Sequence, residues 1–417
     1  MPSRAAAPAA ASPPAALYVH VPFCLSICPY CDFVVHGGAD ARGPRSLVQP
    51  FVEALISEIE LRAAATGSAF GPARPPLASV YIGGGTPSLL PPPAVSRLLQ
   101  AIDHGFGLAD DAEVTLEANP GPADRGDLAG FRAAGVNRLS VGAQSMIRTE
   151  LRTLGRRHGP RDVARTVSLA RRAGLRNVGL DLLYDVPGQT ARSWHRTVQS
   201  ILRLEPDHVS AYALALEDPT AEGLTGALGD HLPVSAGARR WRDRARVAQD
   251  ADLAADLYLA ADRQLEAAGL SWYELSNWAR PGYRSRHNLA YWQGRAYEAV
   301  GPGAHAFDGA RTRRWNAARL AGYLAALRPA EGSAPRLPPG GTEMLDEATA
   351  AAERAILGLR LREGVRGGPA SAAALAWAQA EGLVVPVGER LSLTARGRLL
   401  ANELFLRLLP MTEAPAA

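Results

Sequence analysis

The chain has 417 residues, 47% of them hydrophobic, and a formal net charge of +4. No window approaches an uninterrupted apolar membrane span, so the sequence reads as a soluble globular protein of two or three domains. All 45 of its Lys-plus-Arg residues are arginine, which excludes a P-loop lysine and a Schiff-base lysine, and with them ordinary P-loop nucleotidases and pyridoxal enzymes. The arginines are interspersed with acids, as in Arg240-Trp241-Arg242-Asp243-Arg244, so no nucleic-acid partner is expected.

Residues 1–16 are rich in Ala, Pro and Ser with one Arg, the composition of a disordered tail. From Leu17 a strand-then-helix rhythm begins. β-rich runs stand at Leu17–Val21, Ser79–Ile82, Glu113–Ala118, Arg138–Val141, Val178–Leu183 and His208–Leu214. Helical patterns at Leu47–Ala64, Pro93–Ile102, Arg125–Ala134, Arg161–Ala173 and Ser193–Leu204 lie between them. Such alternation predicts parallel strands with crossover helices. Six strands suit an open, partial TIM-type barrel with its chemistry at the C-terminal strand ends.

The first strand runs into Cys24-Leu25-Ser26-Ile27-Cys28-Pro29-Tyr30-Cys31, which holds all three cysteines of the chain. An odd count in a long chain with no signal-peptide pattern argues against a disulfide framework and for a reduced compartment. Two metal readings stay open. Zinc would need a fourth ligand, His20 or His36. An iron–sulfur cube held by three thiolates, its fourth iron open to an exchangeable ligand, is the sharper reading. The later strand ends carry ligand-type residues as well. Gly83-Gly84-Gly85-Thr86 lets backbone approach a ligand closely, Glu117 offers a carboxylate to an amine or a ribose, and Asp181 is a charge inside an apolar strand.

CxxxCxxC with Tyr30 before the last cysteine resembles the radical S-adenosylmethionine (SAM) enzymes. The context Tyr18-Val19-His20-Val21-Pro22-Phe23-Cys24 and Cys31-Asp32-Phe33 resembles the branch holding the oxygen-independent coproporphyrinogen III oxidases and the HemW-type haem chaperones. The resemblance implies a [4Fe-4S] cluster on Cys24, Cys28 and Cys31, with SAM chelating the open iron and cleaved by an electron from the reduced cluster. It implies SAM contacts from Tyr18, Tyr30, Gly84, Gly85, Thr86, Glu117, Gln144, Arg156 and Asp181.

After Glu217 the pattern loosens, and 218–250 reads as a loop or insertion. A helix at Leu253–Ala268 precedes an aromatic run, Trp272-Tyr273 through His287-Asn288-Leu289-Ala290-Tyr291-Trp292 to His305-Ala306-Phe307. Such density fits core packing or a wall for a flat ligand. The HNxxYW pattern resembles the HemW branch, which makes His287 the first haem-ligand candidate and His305 the second. Residues 326–342 read as a linker. The remainder reads helix (346–361), helix (370–381), hairpin (383–393) and helix (394–409), the last with an apolar docking face at Leu399, Leu400, Leu404, Phe405 and Leu408.

The fold expected is therefore α/β: a partial (β/α)6 TIM-type barrel over 17–217, an extension with the haem wall over 218–325, and a small winged-helix-like α+β domain over 343–417. Asp32-Phe33 stands where the resembled decarboxylases carry a further cysteine, and their structured N-terminal extension is replaced by the Ala/Pro tail. Both points favour a haem chaperone over coproporphyrinogen III decarboxylation. A chaperone implies haem and an acceptor haemoprotein, respiratory and membrane-associated, as partners. It also implies a cytoplasmic place at or near the membrane, and a homodimer is an open expectation.

Overall fold

The computed structural model describes residues 10–330, 332–368 and 371–410. The expected tail lies outside the described residues as far as position 9. Its last part is held: Ser12 N–H donates to the Asp308 carbonyl at 3.0 Å and Ala15 N–H to Ala296 at 2.8 Å. These bonds satisfy backbone groups that would otherwise go unpaired beside a buried strand.

Six strands form the centre of one sheet: β1 (Ala16–Val21), β2 (Leu77–Gly84), β3 (Leu108–Ala118), β4 (Arg138–Gln144), β5 (Asn177–Tyr184) and β6 (His208–Ala213). They pair side by side in sequence order, every pair parallel. The crossovers carry α1 (Val48–Phe70), α2 (Pro92–Phe106), α3 (Leu128–Ala133), α4 (Arg148–Thr153), α5 (Pro160–Arg172) and α6 (Ala191–Leu202). This is the α/β class the alternation predicts.

Helix periodicity explains the layering. In α2, Val95, Leu98, Leu99 and Ile102 follow the i, i+3, i+4, i+7 spacing and bury one face. They meet strand residues such as Val80, Ile82, Leu116, Leu139 and Val141, which are fully or almost fully buried. Each such side chain contributes about 1.5–3 kcal/mol of burial. Caps fix helix starts: Thr190 accepts from Ser193 N–H ahead of α6, and Asp127 from Gly130 N–H ahead of α3.

The second half of the chain departs from its sequence pattern. Within 218–250, read as a loop, Ala236–Val247 forms a helix, α7, capped by Ser235. Its face is so rich in arginine that apolar period does not reveal it. α8 (Ala251–Ala267) follows. The aromatic run supplies strands: β7 (Ser271–Glu274) and β8 (Asn277–Ala279) extend the sheet beyond β6, with α9 (Arg286–Trp292) next. At the other edge β9 (Tyr297–Val300) pairs parallel with β1, and β10 (His305–Phe307) and β11 (Thr312–Asn316) continue antiparallel. After α10 (Leu320–Leu327), β12 (Gly340–Met344) pairs with β11. The stretch read as a linker thus ends inside the main sheet. Sequence spacing hides this because Gly340 and Gly341 lie against Trp315, where a side chain would clash.

The C-terminal module has α11 (Glu347–Arg360), α12 (Ala372–Ala380), the hairpin β13 (Val384–Val387) and β14 (Arg390–Leu393), then α13 (Ala395–Leu399) and α14 (Ala401–Leu408). The final helix is broken at Leu400. Within α13, Gly397 lies so close to the Leu383 carbonyl that a side chain there would clash. The apolar residues expected to form a docking face are largely spent inside: Leu404, Phe405 and Leu408 pack with Leu359, Leu375 and Leu393. Among the described residues no helix is long and apolar enough to cross a membrane.

Candidate functional site

β1 delivers the cysteine loop, and Phe23–Cys24 pairs with His36–Gly37 to close its base. Cys24 is buried, whereas Cys28 and Cys31 are partly exposed; all three are free thiols on the wall of one cavity of about 420 Å³. Desolvation pushes the Cys24 thiol up to about 11. The Cys31 thiol is raised too, by desolvation first and then by the charge of Cys24. Such thiols stay neutral unless a cation stabilises the thiolates, which is what a bound metal centre does. Among the described residues no three His, Cys, Asp or Glu side chains converge as ligands of one ion. A cube asks for less, because each thiolate takes its own iron. Zinc completed by His20 fits poorly: Nε2 of His20 meets the Val34 carbonyl at 2.8 Å and Nδ1 meets Tyr18 Oη at 3.1 Å. Burial also lowers His20 to about 4.

The glycines after β2 hold the loop. Gly85 N–H donates to Val21 O and Thr86 N–H to Phe23 O, each at 2.8 Å. A Cβ on Gly85 would stand 2.7 Å from the Phe23 carbonyl oxygen. Gly84 has φ +108, and a Cβ there would meet the His20 ring at 2.5 Å. The close backbone approach that the glycines allow is thus made first to the cysteine loop itself. Thr86 Oγ1 also lies 3.3 Å from Cys24 Sγ and accepts from Asn119 Nδ2 at 3.0 Å.

The remaining strand ends add polar groups. Glu117 accepts from Tyr81 Oη at 2.7 Å and from Gly84 N–H at 3.0 Å. Burial nevertheless raises its carboxyl to about 7. Asp181 accepts from Ser140 Oγ at 2.9 Å and Ser210 Oγ at 2.7 Å, and its carboxyl too is raised by burial. A register shift in β4 between Gly142 and Gln144, with Gln144 at φ +61, re-aims the glutamine at the cavity. Arg156 donates to the Gly142 carbonyl at 2.9 Å, bonds Asn119 and lies 3.8 Å from Cys28 Sγ. Tyr30 packs on Leu154, Leu183 and Leu214.

Tyr30, Gly84, Gly85, Thr86, Glu117, Gln144, Arg156 and Asp181 therefore line the same cavity as the cysteines. Tyr18 does not. It lines a second cavity of about 350 Å³, which shares Asp32 and Phe33 with the first. Asn119, Ser140, Ser210 and Asn288 also face the first cavity and escape the sequence reading, although Asn288 sits in the motif that drew attention to its neighbour His287.

The second cavity is walled by Tyr18, Tyr291, Tyr297, Phe33, His231 and His305. His305 bonds Asp230 through Nε2 at 2.7 Å and stacks on Trp315; among the described residues nothing bonds its Nδ1. Asp230 also holds His231 Nδ1 at 3.0 Å. These two histidines keep its carboxyl far below the usual range despite partial burial. His287, the first candidate from sequence, is placed otherwise. It is buried, with Nδ1 at 3.1 Å from Ser79 Oγ and Nε2 at 2.8 Å from Tyr291 Oη, and lines neither cavity. Both its nitrogens are taken, one by Ser79 on the strand β2 and the other by Tyr291 one turn further along its own helix α9.

Comparisons with known proteins fit this geometry. The Radical SAM superfamily model matches residues 18–201. The heme chaperone HemW of Mycobacterium tuberculosis (strain H37Rv) is 40% identical over 401 residues, 95% of each chain. That of Escherichia coli (strain K12) is 36% identical over 70% of each. Among solved structures, the coproporphyrinogen III oxidase HemN from Escherichia coli, a radical SAM enzyme, superposes with a TM-score of 0.73. It covers 95% of this chain and 90% of that one at 22% identity, a likeness of fold. The chain belongs to the radical SAM superfamily and, within it, to the HemW family.

Proposed function

We propose that this protein is a haem chaperone: it binds haem at the second cavity and passes it to an acceptor haemoprotein, respiratory and membrane-associated, from a cytoplasmic position. In this reading Cys24, Cys28 and Cys31 hold a [4Fe-4S] cluster in the first cavity. Glu117, Gln144, Arg156 and Asp181, with Tyr30 and the Gly84–Thr86 turn, hold SAM beside it. When bound, the cluster supplies a low-potential electron and an open iron for the amino-acid end of SAM.

The observation that carries the reading is His305. Its Nε2 is committed to Asp230, leaving Nδ1 as the ligating nitrogen, and a carboxylate on the far nitrogen raises ligand basicity as it does in metal sites generally. Tyr18, Tyr291 and Tyr297 give the flat ligand a stacking wall. Haem titration tests it. His305→Ala should weaken haem binding at least tenfold and change the Soret band, whereas His287→Gln should leave the band in place. A wild-type titration in His305→Ala removes the assignment.

The second reading, radical decarboxylation of coproporphyrinogen III, draws on the floor of the first cavity. There, among the described residues, Arg138 Nε and His208 Nδ1 are buried without partners and are placed to meet a propionate. Protein reconstituted with iron and sulfide, then given SAM, reductant and coproporphyrinogen III, decides by porphyrin mass. Loss of carboxyl groups establishes the decarboxylase, and no turnover with SAM bound leaves the chaperone.

A further inference from the structure

The helix α7 is not used by either reading, yet it sends one side chain into the cysteine loop. Arg242 is 2% exposed. Its Nε donates to the Pro29 carbonyl at 3.1 Å, one Nη to the Cys31 carbonyl at 2.8 Å, and the other to the Glu217 carbonyl. The fork thus ties the start of the connection that leaves β6 to the second half of CxxxCxxC. Neighbours reinforce the seam. Trp241 lies 6.5 Å from the Tyr30 ring, and Gly155 lets Pro29 approach so closely that a Cβ would stand 2.9 Å from it.

The charge is the telling feature. Among the described residues no acidic side chain pairs with Arg242. A buried guanidinium is costly to desolvate unless opposite charge lies near. Carbonyl dipoles offset part of that cost. The guanidinium itself, held against the Cys31 carbonyl at 2.8 Å, stands beside the loop that carries the cysteines.

We infer that Arg242 is a positioning residue for the cluster loop: it clamps the Pro29–Cys31 backbone and sets a fixed positive charge beside the thiolates. The electrostatic half rests on the cluster reading above; the clamp does not. A lysine keeps the charge but cannot span three carbonyls. A glutamine loses both.

Hydrogen exchange of the metal-free protein reads the clamp alone. Amides of residues 24–36 should exchange at least tenfold faster in Arg242→Lys and Arg242→Gln, with the amides of β3 and β4 unchanged. In reconstituted protein, both variants should lose iron to a chelator several-fold faster. Only Arg242→Gln should move the cluster potential to more negative values, because a positive charge favours the reduced form. Unchanged exchange in both variants overturns the clamp. Unchanged potential in Arg242→Gln with a full cluster overturns the charge role. A wild type that takes up no iron while the exchange effect holds would instead sink the cluster reading and leave the clamp standing.

Discussion

The two cavities meet at Asp32 and Phe33 but are built differently. The first is walled by the cysteine loop and by consecutive parallel strands, which contribute their polar groups in chain order. The second gathers Tyr18 from β1, Asp230 and His231 from a connection, Tyr291 from α9 and His305 from β10. A parallel barrel places chemistry at strand ends by rule, so its site can be read along the chain. An antiparallel edge has no such rule, and its site appears only once the fold has brought distant segments together.

The sharpest break in this comparison is removal of a thiol. Cys28→Ala should abolish reconstitution of the cluster, from about four irons per chain to background, while the haem titration keeps its midpoint. If haem binding collapses as well, the cavities are one site. Next comes Glu117→Gln, which should weaken SAM binding about 10–100-fold, the scale of a lost charged hydrogen bond.

Acidity sharpens that second prediction. Burial raises the Glu117 carboxyl to about 7, so the SAM-free protein carries its proton below that value. A carboxylate contact with SAM then needs that proton to leave. SAM affinity should rise as pH increases through about 7 and flatten above it, and the rise should vanish in Glu117→Gln. Linkage runs the opposite way for stability. The folded state binds this proton more tightly than the unfolded one, so stability is full below the unfolded pKa and falls as pH climbs towards about 7. Denaturant midpoints of the metal-free protein across that window check the slope.

On the other side, Asp230→Asn should reduce haem affinity about tenfold, the low end for loss of a partner behind a metal-bound histidine, with iron and sulfide content intact. The smallest effect belongs to Gly85→Ala. Its Cβ forces Phe23 to move, a cost of about 1–3 kcal/mol, read as a lowered Tm and incomplete cluster loading at full haem capacity.

The contrast also explains what was legible in the sequence. The strands β1 to β6 announce themselves by β-branched runs, and Cys24, Glu117 and Asp181 stand at or near their ends. Tyr18 precedes the cysteines in an eye-catching string, and alternation along β1 sets it beside His20 and on the wall of the other cavity. The placement of His287 is hidden from the sequence for a related reason. Its motif marks the place where α9 packs, and Ser79, two hundred residues earlier, takes up its ring nitrogen. Arg242 carries no pattern at all. Its partners are main-chain carbonyls, which every residue has, so nothing in the sequence distinguishes it from the arginines around it. Ala245 buried one turn on and the Ser235 cap are the only local traces of a helix there.

β1 lies between β2 and β9. The strand that carries the cysteine loop is therefore made well before its partner Tyr297–Val300, which follows the rest of the barrel. At about 5–20 residues per second, that interval is on the order of tens of seconds. Through all of it the thiols of Cys24, Cys28 and Cys31 lie on a loop that follows a strand with one open edge. If the loop takes the proposed cluster, loading at the finished site waits for that far neighbour, and the nascent thiols need protection from oxidation until it arrives.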